Sequence, residues 1–406
     1  MNEWFIPELE EFPTQRALLH LGLNKAVRYY RELVAPGIGG VWFVRQLSWA
    51  VAGIQLAKDI NKDIPASRIA NAIEALACKL IWKVDNTANG IRGKRAFLRY
   101  PDARLFKELS RSKYYVQVTF RQSSVSALLR LGMTEGGMRF NSMLLSPIGE
   151  DLAKMFLTHG GSDIHKTLSN WINGESFPAS GDKVKWLGRK YASSKEKKIV
   201  ADRLLANTND DISHLQRRSL LIAAFGNRNN VNMPELQDVK RKLNQNQVSE
   251  IETAEAFDTM LVTARTLIHE CAGKLESAQS KPITDLAKEK EIKKTIEAIK
   301  ENAQNYLKRA KDSNKIHKDA NKFAHSIINN AGEEDILEKV VLRDGAILTC
   351  SDRKIWQGTL FDRRQVIKGE DIRPENEEDN NVGPEEYSTI NKIRQLFTLW
   401  RDCKNG

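Results

Sequence analysis

Between Ser67 and Ile81 the apolar residues recur at intervals of three and four, at Ile69, Ile73, Leu76, Leu80 and Ile81. That period lines one face of an α-helix, and the face predicts a core contact. Residues 1–90 as a whole read as helices, punctuated by Pro36-Gly37 and by the Asn61 to Pro65 turn. The same period is sustained longest between 247 and 330. Ala254, Phe257, Leu261, Ala264, Ile268, Cys271 and Leu275 step by three and four, and after Lys281-Pro282 so do Ile292, Ile296, Ile299, Ala303, Tyr306 and Ala310. Two long helices broken at Pro282 are expected, because proline has no amide hydrogen and turns the preceding residue away from helical geometry. They pair as an antiparallel hairpin, either a coiled coil reaching another subunit or part of an intrachain bundle. Alanines in the seam and the lack of a leucine run favour the bundle. The chain closes on a third amphipathic helix with Ile390, Ile393, Leu396, Phe397 and Trp400 on one side. Such a face suits packing on its own protein and docking into another equally well.

Other stretches change period. Tyr114-Tyr-Val-Gln-Val-Thr-Phe120 is rich in β-formers and predicts a strand, preceded by a short helix after Pro101 and followed by a helix over Ser123 to Leu131. Next come a glycine turn from Gly132, a short apolar strand, and a helix restarting at Ser146-Pro147 and running through Gly149-Glu-Asp-Leu-Ala153. This order resembles the closing portion of winged-helix domains, where a strand runs into a Leu-Ser/Thr-Pro-x-Gly-x-x-Leu-Ala helix. The resemblance covers about residues 114–153 and implies a DNA-binding module. Without it, the same residues read as a small α+β unit whose hairpin packs on a helix. In Pro36-Gly-Ile-Gly-Gly-Val-Trp-Phe-Val-Arg-Gln-Leu-Ser-Trp49 a glycine turn opens onto two tryptophans and an arginine. It predicts a tightly packed helix start rather than a ligand-facing turn. The turn and the following Arg45-Gln-Leu-Ser-Trp49 are similar to openings of uncharacterised proteins from bacterial phage-defence gene clusters, a resemblance that carries no activity with it.

Towards the C-terminus, Val340-Val-Leu-Arg and Ala346-Ile-Leu-Thr-Cys350 flank Asp344-Gly345, a hairpin signal, and Ile355 to Leu360 offers a third strand. Residues 370–386 hold eight acids against Arg373 alone and read as a flexible acidic linker. The expected fold is mainly α and multidomain, with small β units and a long helical hairpin. Its expected divisions are an N-terminal helical domain (1–90), a basic winged-helix-like region (91–200), a helical bundle or hairpin (201–335), a small β unit (336–369), and the linker with the terminal helix (370–406).

With 406 residues, 41% hydrophobic and 28% charged, the composition is that of a globular protein. At roughly 100–200 residues per domain, the length suits two to four domains. The first residues carry acids where an export signal needs bases, and Ser48 to Ala57, the most apolar segment, falls well short of the ~18 residues of a membrane span. Cys78, Cys271, Cys350 and Cys403 are widely separated, which gives neither a disulfide framework nor a zinc site. A cytoplasmic protein with no membrane contact is expected.

Charge adds a partner. The net charge is +11, and residues 51–200 alone hold 25 Lys and Arg against 13 Asp and Glu, so the rest of the chain is close to neutral. Segregated charge of one sign suits a polyanion. Two segments concentrate it: the Gly90-Ile-Arg-Gly-Lys-Arg95 loop, and residues 183–198, where Glu196 is the one acid in a dense basic run around Trp186 and Tyr191. Arg92, Lys94, Arg95, Arg99, Lys183, Lys185, Arg189, Lys190 and Lys195 are the candidate phosphate contacts, with Trp186 and Tyr191 as stacking candidates. The expected protein is a nucleic-acid-binding subunit of a bacterial assembly, DNA being the partner that the winged-helix resemblance implies. Other subunits would meet it through 247–330 and 387–403. The alternatives are a scaffold recruiting a separate ATPase or nuclease, and a metal-dependent nuclease.

Catalytic motifs are weak. Gly160-Gly-Ser-Asp-Ile-His-Lys166-Thr167 has His165 where a phosphate loop needs glycine before its lysine, and His159 with His165 lacks further metal ligands. Asp344 with Asp352-Arg-Lys354 could hold a divalent cation for phosphodiester cleavage, but the hairpin explains Asp344. Arg265 and His269 lie one helical turn apart and fit a charged helix face. No catalytic residue, metal or cofactor is assigned.

Overall fold

Among the described residues there are eighteen α-helices and two small antiparallel sheets of two and three strands, and 68% of those residues are helical, so the fold is mainly α with small β units. The computed structural model describes residues 21–404 except 61–62, 89, 112–113, 117–118, 159–162, 207–211, 227–231, 330–331, 360 and 362–387. The acidic stretch 370–386 thus lies outside the described residues, as do His159 and Gly160. Contacts divide the chain into two units, one of residues 32–248 with 369–406, the other of 1–31 with 249–368.

The helices up to Leu204 are α1 (Asn24–Val34), α2 (Val44–Ile60), α3 (Ala66–Val84), α4 (Lys94–Arg99), α5 (Phe106–Leu109), α6 (Phe120–Arg130), α7 (Pro147–Leu157), α8 (Ile164–Ile172), α9 (Asp182–Leu187) and α10 (Ser194–Leu204). Strands β1 (Thr134–Gly136) and β2 (Met143–Leu145) lie between α6 and α7 and pair Thr134 with Leu145. Next come α11 (Ile212–Ala224), α12 (Leu236–Arg241) and α13 (Gln245–Lys274).

Helix α2 is the centre of the 32–248 unit, with every residue from Val44 to Ile54 buried. A helix apolar on all sides belongs inside a core, and here its few polar residues are bonded internally. The glycine turn before it is packed, as expected. Gly40 donates its amide to the Ser123 carbonyl of α6 at 2.7 Å, and a β-carbon on Gly40 would stand 2.5 Å from the Ser123 Cβ. From another side the terminal helix α18 (Thr389–Lys404) holds the same turn: Lys392 Nζ and Gln395 Nε2 donate to the Gly39 carbonyl at 2.5 and 3.2 Å. Near the end of α18, Asp402 Oδ2 accepts from the Val44 amide at 2.8 Å and caps α2. The apolar face of α18, with Ile393, Leu396 and Phe397, is buried in its own unit.

The Ser-Pro-x-Gly motif has a local cause. Ser146 Oγ accepts from the Gly149 amide (3.2 Å) and donates to the Gly132 carbonyl (2.7 Å), Pro147 opens α7, and Gly149 sits so close to the Met133 carbonyl that a β-carbon would be 2.0 Å from it. The motif thus closes the hairpin onto the helix that follows.

The strand expected over 114–120 does not form at its described residues. Tyr114 and Tyr115 lie in a turn and a bend, and Phe120 opens α6. Thr119 caps that helix, its hydroxyl accepting from the Gln122 amide while Gln122 Oε1 accepts from the Thr119 amide. This reciprocal capping box outweighs the β-propensity of the aromatic residues before it.

In the unit of 1–31 with 249–368, α13 runs antiparallel to α15 (Lys290–Ser313), with α14 (Ile283–Lys288), α16 (Lys318–Ile328) and α17 (Glu333–Asp344) beside them. Thr253 Oγ1 donates to the Arg309 carbonyl at 3.0 Å, Asn302 Nδ2 to Thr263 Oγ1 at 2.9 Å, and Lys274 pairs with Glu289 and Glu291. Every seam residue expected on the two arms, from Ala254 to Leu275 and from Ile292 to Ala310, is buried. The break differs from expectation. Helix α13 ends at Lys274, and Ser280–Pro282 form β3, which pairs with β5 (Lys354–Gln357) so that Lys281 faces Ile355. Proline is tolerated there because it ends an edge strand and has no further ladder bond to donate.

The C-terminal hairpin is displaced from Asp344-Gly345. Val340 to Arg343 belong to α17, and Gly345 is its left-handed C-cap at φ +61°. The hairpin is β4 (Leu348–Ser351) with β5, turning at Asp352-Arg353, both at positive φ (51° and 57°). Ile336, Leu337, Val340 and Val341 recur at helical spacing, and their burial overrides the β-branched pair.

Candidate nucleic-acid interface

The two basic segments converge on the C-terminal end of α3. Helix α4 packs there through Phe97, whose ring centroid is 6.1 Å from that of Trp82. On another side the residue after α9, Gly188, lies against Leu80, leaving 3.1 Å between the Leu80 Cβ and a β-carbon placed on the glycine. Lys190 Nζ is 3.8 Å from the position of a β-carbon on Gly90. Asp85 makes the link electrostatic. Bonds from the Thr87 hydroxyl and amide hold its carboxyl below the usual range, with the charges of Lys190 and Lys94 adding to them. Residues about a hundred positions apart in sequence thus share one surface, where the partial negative charge of a helix C-terminus also favours cations.

Within that cluster the candidates divide by exposure. Arg99, Lys185, Arg189, Tyr191 and Lys195 are exposed, whereas Lys94, Arg95, Lys183 and Lys190 are half-buried. Burial lowers the pKa of Lys190, against the opposing pull of Asp402 and Asp85. Arg92 turns inward, its guanidinium carbon 4.1 Å from the Phe120 ring centroid and its charge acting on Glu74. Trp186 is not a stacking surface: it is 4% exposed, and its Nε1 donates to the Phe156 carbonyl at 3.0 Å. Arg45 covers that ring at 3.9 Å. The aromatic rings of this cluster open to solvent are Tyr191, with Lys190 and Lys197 ammonium groups 5.9 and 5.8 Å from it, and Tyr100, an aromatic of the same basic stretch that was not among the stacking candidates. Tyr100 stacks on Tyr114 at 5.5 Å, just past α4, and Pro101 after it was the signal that the helix ends there.

A buried ion pair supports the basic strip from inside. Arg45, fully buried, lies 3.7 Å from Glu196 and donates Nε to the Tyr191 carbonyl at 3.4 Å, while Ser48 donates to Glu196 at 2.7 Å. Burial pushes the Arg45 guanidinium down to about 10, against the pull of Glu196. Lys79 does comparable work for the other segment. Its buried ammonium donates to the Tyr100 and Ala103 carbonyls at 2.8 and 2.6 Å, and burial pushes it down to about 8.

The other chemical candidates have structural roles. Asp344 Oδ2 accepts from the Ile347 and Leu348 amides at 2.9 and 2.7 Å, and burial pushes the carboxyl up to about 6. Arg265 is buried and His269 half-buried in α13. His165 pairs with Asp59 at 2.7 Å, and Asp163 caps α8. Among the described residues no group of three or more His, Cys, Asp and Glu is placed to hold a metal, and no helix is long and apolar enough to cross a membrane. Comparison with known families, with characterised proteins and with solved structures finds no match to this chain.

Proposed function

We propose that the 32–248 and 369–406 unit is a nucleic-acid-binding module, with DNA the first partner to test, serving a cytoplasmic bacterial assembly. The observation that carries this reading is the meeting of Lys94 and Lys190 around Asp85, which turns two separate basic runs into one cationic surface flanked by open tyrosine rings. The order helix, hairpin, helix of α6, β1, β2 and α7 is the part of the unit that the winged-helix resemblance suggests as a reader. Phage defence is the setting that the resemblance of the Pro36 to Trp49 turn suggests. Replacing Arg99, Lys185, Arg189 and Lys195 together by alanine tests the reading, since all four are exposed. Exposed substitutions of this kind change stability by about 0.5 kcal/mol or less. Duplex affinity at physiological salt should fall at least tenfold while the melting temperature holds. Unchanged affinity with a folded protein would reduce the cluster to solvated surface.

A further inference from the structure

At the N-terminal end of α3, away from the basic cluster, a cleft of about 300 Å³ opens between the first turns of α3 and α6 and residues Ser110, Arg111, Tyr115 and Val116. Among the described residues two guanidinium side chains line it, Arg68 and Arg111, and no carboxylate does. Arg68 Nε donates to Ser110 Oγ at 3.2 Å, which ties it to the residue beside Arg111 and leaves its terminal nitrogens for another acceptor. Glu108, one turn before Arg111, is not among the lining residues: its Oε2 accepts from the Arg104 and Leu105 amides, and the charge of Arg111 also acts on it. The neutral lining residues are biased the same way. Asn71 Oδ1 accepts from Arg121 Nε at 2.7 Å and Gln122 Oε1 from the Thr119 amide at 3.0 Å, so each amide turns its NH₂ group to other partners.

A cleft that presents two charged forks, beside two side-chain amides whose oxygens are already engaged, suits an anion with several oxygens. Guanidinium matches phosphate in two-point geometry, a fit that a lysine ammonium does not give. Leu109, Tyr115 and Val116 complete the wall with apolar surface, and the volume is at the lower end for small organic ligands. We propose that this cleft binds the phosphate group of a nucleoside phosphate, held by Arg68 and Arg111. The site stands independently of the cationic surface around Asp85. Its ligand is either a free mononucleotide or the phosphorylated 5′ end of a nucleic acid, and the two share the recognised chemistry.

Calorimetric titration of the full chain with a nucleoside 5′-monophosphate, the matching nucleoside and inorganic phosphate tests it. A second arm compares a single-stranded oligonucleotide carrying a 5′-phosphate with its 5′-hydroxyl form. The monophosphate or the phosphorylated end should bind, the nucleoside should not, and Arg68→Gln with Arg111→Gln should weaken binding at least tenfold with an unchanged melting temperature. Binding by the mononucleotide identifies a free ligand; discrimination seen only between the two oligonucleotides identifies a chain end. The four-alanine variant of the Asp85 surface should leave the phosphate preference intact, which keeps failure of that surface distinct from failure of this cleft. Equal binding by the Arg68/Arg111 double variant, or no preference for phosphate in either arm, overturns the proposal.

Discussion

Glu74 is a carboxylate with 1% of its surface exposed, on the inner face of α3. It accepts from the Phe120 and Arg121 amides at 2.8 and 3.0 Å, so it caps the start of α6 from a different helix. Burial pushes its pKa up to about 7, with Arg92, the two amides and Arg121 pulling the other way. In the unfolded chain a glutamate titrates near 4.3. Between those two values the native protein holds a proton that the unfolded chain has lost. Stability therefore falls as pH rises through that window, by up to about 1.4 kcal/mol per unit, and the deficit persists above it. Glu74→Gln should remove this slope and add a pH-independent cost of about 1–3 kcal/mol, because an amide oxygen satisfies two N–H donors less well than a carboxylate. Thermal melts at pH 5, 6, 7 and 8 check it: the wild-type advantage over the variant should shrink up to pH 7 and then level off. Parallel curves would mean that the ionised form is not penalised. At this scale the sequence reading erred on Trp186, where a tryptophan among lysines looked like a ring offered to bases. The buried Arg45 that stacks on it is 141 positions earlier in the chain, and neither local charge nor local period carries that contact.

At the level of elements, α2 and α3 approach closely through a glycine. Gly53 faces Ala70, and a β-carbon on Gly53 would stand 2.4 Å from the Ala70 Cβ and 2.6 Å from its Cα. Alanine normally improves a helix by about 1 kcal/mol relative to glycine. Here the steric term opposes it, since both helices are held by partners on their other faces, and overpacking costs about 1–3 kcal/mol. Gly53→Ala should therefore lower stability in chemical denaturation, and a double variant that also carries Ala70→Gly should recover part of the loss. A gain in stability would show that the pair has room to separate. The period-3.6 segments were legible because burial follows spacing: the α3 face, both arms of α13 and α15, and the α18 face all bury residues named from sequence. The strand expectations over 114–120 and 340–343 failed for one shared reason. β-branched and aromatic residues were weighed by type, while the signals that decide helix ends, the Thr119/Gln122 box and the glycine C-cap at 345, stood within or beside the same segments. The edge strand at Ser280–Pro282 was not legible, because its partner is about seventy residues away.

For the whole molecule, the charge segregation that the composition gives becomes a surface only through tertiary packing, and ionic strength is the variable that reads it. Each phosphate contact on duplex DNA adds about 0.9 to the slope of log affinity against log salt, because bound counterions are released. If Arg99, Lys185, Arg189 and Lys195 are phosphate contacts, their replacement by alanine should flatten that slope by up to about 3.6 and bring the variant and wild-type lines together at high salt. Replacing Tyr100 and Tyr191 by alanine should do something different. Stacking is worth about 1–3 kcal/mol per base and carries little salt dependence, so affinity for single strands should drop at every salt concentration with the slope retained, and duplex binding should change little. Filter-binding or anisotropy titrations across 50–300 mM salt separate the two patterns. A charge variant whose line runs parallel to the wild type would assign the lost affinity to altered structure instead of lost phosphate contacts, and the cationic surface would then have to be sought elsewhere on the unit.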